Sequence, residues 1–172
     1  MHAQTQRFRD DSKADNDLFK DCLKTLQVAI DLLSEESVQG FMTKFKNQPL
    51  RTIIQRLVDS QQRDVEEAIA ILQFLNTYAQ QLRGSLHLHS ENILAHIQKN
   101  KQVQQVFSRG FYEQEARDQH HILWCKVLTL LRTLNQNLID EDLPDLAAQN
   151  GEGYLQSFDP QSYIRQLLGF LQ

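Results

Sequence analysis

HHILWCKVLTLLRTLNQNL, residues 120–138, is the stretch whose reading decides the fold. At 100° per residue, His120, Leu123, Trp124, Val127, Leu128, Leu130, Leu131, Leu134 and Leu138 share one arc of about 160°. The opposite strip carries Lys126, Thr129, Arg132, Thr133, Gln136 and Asn137. So wide an apolar arc predicts an amphipathic helix lodged between neighbours, with the rest of the chain arranged around it. Val127, Leu131 and Leu134 are its expected core residues.

Working towards the N-terminus, helical spacing recurs. Pro49 fits the first turn of a short helix with Leu50, Ile53, Ile54, Leu57 and Val58 as its stripe. Before it, Val38, Phe41, Met42 and Phe45 mark another short helix, which Ser34 or Ser37 can cap. The run Leu18, Phe19, Cys22, Leu23, Leu26, Ala29, Ile30 and Leu33 predicts a helix over residues 16–34 that opens at the acidic side chains of 15–17. Residues 1–15 carry many charges and a single large apolar side chain, Phe8. They are expected as a polar, partly disordered tail or as a solvated first helix.

Between these helices and the deciding stretch, a longer helix begins at Asp64 with Val65, Ala68, Ile69, Leu72, Leu75, Ala79 and Leu82. Gly84 is its expected stop as a left-handed C′ residue. SLHLH, 85–89, alternates for too few residues to define a strand. Ser90 with Glu91 then starts a helix burying Ile93, Leu94 and Ile97, interrupted near residues 99–101. Val103, Val106 and Phe107 follow, closed by Gly110. On the C-terminal side, residues 139–159 read as a long acidic connection, and Asp159 with Pro160 opens a last helix striped by Tyr163, Ile164, Leu167, Leu168 and Leu171.

The class is therefore all-α: an irregular antiparallel helical array of about six to eight helices, either an α-solenoid segment or a helical bundle. Residues 16–172 form one domain. A chain of 172 residues buries enough surface to fold without a metal or disulfide staple, so no cofactor is expected. No period of a defined repeat class is legible.

Composition narrows the function. A net charge of −4, with the 18 Lys and Arg spread along the chain, lacks the basic footprint that phosphate neutralisation requires, so no nucleic acid is expected as partner. No apolar run approaches the roughly 20 residues of a membrane span, and the N-terminus lacks the apolar core of a signal peptide. A soluble, intracellular protein without membrane insertion is expected, with Cys22 and Cys125 as reduced thiols.

His87, His89, His96 and His121 could supply imidazoles to a metal, but a zinc site wants about four converging ligands at short recurring spacings, which these lack. They read as surface or helix-start histidines, and no metal ligand is assigned. Cys125 lies one turn after His121, yet mid-helix placement withholds the dipole that activates a thiol, so it reads as a small buried apolar residue. Glu66 and Glu67 read as a solvated helix face. No catalytic residue is assigned, and the chain is not expected to be an enzyme. Hydrophobic layering remains. It suits a non-enzymatic scaffold that binds other proteins, with Tyr163, Leu167 and Phe170 as the candidate partner-binding face, or a self-contained regulatory bundle that docks a partner helix.

The segment LWCKVLTLL at 123–131, followed by a loop and YIRQLLGFL at 163–171, resembles the α-solenoid of the large inner-ring scaffold nucleoporins. The similarity covers the last third of the chain. It implies a scaffold role at the nuclear pore, with other scaffold subunits as partners and a nuclear-envelope location.

Overall fold

In the computed structural model, residues 2–59, 65–104, 119–139 and residue 165 are described, and every regular element among them is helical. The seven helices are α1 (His2–Leu32), α2 (Glu35–Phe45), α3 (Gln48–Asp59), α4 (Val65–Gln80), α5 (Leu82–Ser90), α6 (Ile93–Lys99) and α7 (Gln119–Ile139). The acidic connection after residue 139, the segment around Val106, Phe107 and Gly110, and the last helix with Tyr163, Leu167 and Phe170 lie outside the described residues.

The expected all-α array is what the chain forms, but its centre is α4 and not the 120–138 helix. Val65, Glu67, Ala68, Ile71, Leu72, Phe74, Leu75, Tyr78 and Ala79 of α4 are all buried. At 100° per residue these positions span about half of the helix circumference, and α1, α3, α5 and α7 pack against α4. The stripe read from the sequence left out Ile71, Phe74 and Tyr78, which widen it along one flank. Helix α7 buries a narrower band than its apolar arc predicts. Leu123, Val127, Leu130, Leu131 and Leu134 are inside, whereas Leu128 is exposed and Trp124 only partly covered.

Hydrogen bonds between elements set the directions of the helices. Gln119 donates to Glu66 (3.0 Å), Thr133 to Asn76 (2.7 Å) and Asn137 to the carbonyl of Ala79 (2.6 Å), so α7 runs parallel to α4. Arg51 meets Glu91 (2.8 Å) and Asn100 donates to the carbonyl of Leu57, so α6 runs parallel to α3. Consecutive α3 and α4 are antiparallel. Phe45, just before α3, packs on Phe74 and Tyr78 near the end of α4, and Arg56 near the end of α3 pairs with Glu67 at the start of α4. Lys20 reaches Glu66 (3.3 Å), and Leu23 and Ile30 are buried beyond it, so α1 also advances along α4 in the same direction.

Like therefore stacks on like. Helix α1 packs on α4 and α4 on α7; α2 packs on α5, and α3 on α6. The repeating unit is a long helix, a short one and a returning one: α1–α2–α3, then α4–α5–α6, then α7. One core runs through all seven helices.

Several local expectations change for physical reasons. Helix α1 is already helical from His2, so residues 15–17 lie mid-helix, and Asp17 pairs with Lys20 (2.9 Å) instead of capping a terminus. Gly84 does not end α4, which stops at Gln80. It sits in the first turn of α5, where an added Cβ would lie 1.9 Å from the carbonyl oxygen of Tyr78. The SLHLH stretch is helical within α5. Ser90 does not open α6: its hydroxyl donates to the carbonyl of His87 (2.7 Å), and Asn92, at φ 52°, turns the chain instead. Asn tolerates that left-handed geometry better than most side chains.

Candidate functional site: helical faces and the polar pins between layers

Three polar clusters pin the layers together. At the first, Arg56 lies with its guanidinium 4.0 Å from the ring centre of Phe19, donates to Asn16 (2.7 Å) and pairs with Glu67. This joins α1, α3 and α4 at one end of the stack. Glu67, expected on a solvated face, is buried, and only its neighbour Glu66 is exposed, between Lys20 and Gln119. The second cluster is Asn100. Fully buried, it accepts the backbone N–H of Val103 (3.0 Å), capping the helical segment at 101–104, and donates to the end of α3.

The third cluster involves histidines. His87 is buried, with Nδ1 2.8 Å from the hydroxyl of Tyr78, inside an aromatic chain that runs from Phe41 through Phe45, Phe74 and Tyr78. Burial pushes the Tyr78 phenol above its ordinary value, so it stays protonated. His89 packs towards α7. Burial pulls its pKa down to about 4, against a hydrogen bond to the Leu134 backbone that raises it. The sequence reading of both as surface histidines is thus corrected, because the helical path of 82–90 turns His87 onto Tyr78 of α4 and His89 towards Leu134 of α7. His96 lies with Nδ1 3.1 Å from the carbonyl of Asn92, and His121 is half-buried at the start of α7. Among the described residues, no group of three His, Cys, Asp or Glu is arranged to hold a metal ion.

Cys125 is exposed, contrary to its expected burial, because it faces about 200° from Leu123 on α7. Cys22 is exposed as well. No described helix is long and apolar enough to cross a membrane.

The outer faces carry what the sequence reading missed. On α1, Leu18 is 67% exposed, Val28 55% and Leu32 80%, with Leu33 beside them; on α7, Ile122 and Leu128 are also open. Helical periodicity alone puts Leu18 and Leu33 in a single inward stripe. That stripe is two stripes. Phe19, Leu23, Leu26 and Ile30 turn to the core, and Leu18, Cys22, Thr25 and Leu32 turn away, with Ala29 half-buried at the edge. No protein-family profile, no curated protein and no solved structure matches this chain.

Proposed function

We propose that the chain is a non-enzymatic scaffold whose stacked helical units hold other proteins. The observation that carries this reading is the stacking of like helices on like: α1 on α4 on α7 in one layer, and α3 on α6 in the other. Such an array buries its apolar faces only against neighbouring units and presents extended side surfaces, which is the way solenoids bind partners. Large apolar side chains left open on α1 and α7 support it, since contiguous exposed apolar surface is what protein partners cover.

The resemblance of residues 123–131 and 163–171 to inner-ring nucleoporins supports a finer form of this proposal, a structural subunit at the nuclear pore with other scaffold subunits as partners. Tyr163, Leu167 and Phe170 are the proposed partner contacts. Three measurements test it. A fluorescent tag on the endogenous chain should give a punctate nuclear rim, and a diffuse signal overturns the pore reading. Affinity capture with the full chain should recover scaffold proteins in stoichiometric yield, and substituting Glu at Leu167 and Phe170 should lower that yield. Stoichiometric zinc or iron in untagged protein that captures no partner overturns the scaffold reading.

A further inference from the structure

We draw no further inference here: the strongest candidate, the outward apolar stripe of α1 with Leu18 and Leu32 exposed, carries none because nothing in the structure shows what covers it.

Discussion

The hydroxyl of Tyr78 lies 2.8 Å from Nδ1 of His87, joining α4 to α5 by a hydrogen bond between two buried side chains. Burial alone makes both groups expensive to leave without partners. Tyr78→Phe keeps the ring in its stack with Phe45 and Phe74 and removes only the oxygen. It should lower stability by about 1 to 3 kcal/mol in urea titration, the penalty of stranding a buried polar partner. A change within error would mean that the bond contributes nothing to docking α5.

Gly84 makes a sharper prediction. An added methyl would sit 1.9 Å from the carbonyl oxygen and 2.8 Å from the carbonyl carbon of Tyr78, and backbone cannot swing aside as a flexible side chain can. Gly84→Ala must therefore push α5 off α4 and tear at the Tyr78–His87 contact. We expect a loss of at least about 3 kcal/mol, near the upper end for overpacked cores. Gly40 is the control, since nothing lies within 4 Å of its added Cβ; Gly40→Ala should be neutral or stabilising by up to about 1 kcal/mol.

The different fates of Gly84 and Pro49 show what the sequence could and could not disclose. Pro49 sets a backbone angle by its own covalent geometry, so α3 begins where its position predicts. Gly84 is compatible with a helix end or a close approach between helices, and only the position of Tyr78 decides between them. Periodicity located the buried stripe of α3 because that helix has one covered side: Leu50, Ile53, Ile54 and Leu57. It caught only part of α4, whose wider buried face also takes in Ile71, Phe74 and Tyr78. It failed differently for α1, where two adjacent apolar stripes merge in projection and only packing separates Leu23 from Leu18. The stacking of like on like was hidden for a related reason: equivalent helices share a place in the unit, not a residue pattern.

Leu131 and Leu128 form a matched pair on α7. Both were expected inside the apolar arc, but Leu131 is 5% exposed and Leu128 40%. Leu131→Ala should cost about 2 to 5 kcal/mol by the usual sum of lost burial and residual cavity, and Leu128→Ala less than about 1 kcal/mol. Equal losses, read from the same denaturant midpoints, would show that α7 is rotated from the orientation described.

Asn100 tests the junction between layers, and its two amide atoms can be separated chemically. Asn100→Asp keeps an oxygen to cap the N–H of Val103 but replaces the donor to Leu57 with a second acceptor. Asn100→Ala removes both. With the site fully buried, Asp should be at least as damaging as Ala, because a carboxylate faces a carbonyl away from water. Each should cost about 2 kcal/mol or more in thermal or chemical unfolding. If Asp were instead nearly silent, the cap would outweigh the bond to α3.

His89 makes folding sensitive to acid, and the sign follows from its depressed pKa. In the folded chain it stays neutral until about pH 4, whereas in the unfolded chain it takes up a proton near the ordinary value of about 6.5. Between those limits the unfolded state binds more protons, so stability rises with pH through the window and is lost as pH falls through it. The loss should approach about 1.4 kcal/mol for each pH unit inside the window and level off below it. Carboxylates titrate at its lower end, so the relevant quantity is the difference between the wild-type chain and His89→Gln, a side chain that takes no proton. Measured by urea midpoints, the stability of wild type relative to His89→Gln should be constant above pH 7 and decline steadily from pH 6.5 to pH 4.5. Parallel curves across that range would place His89 in water and undo its packing against α7.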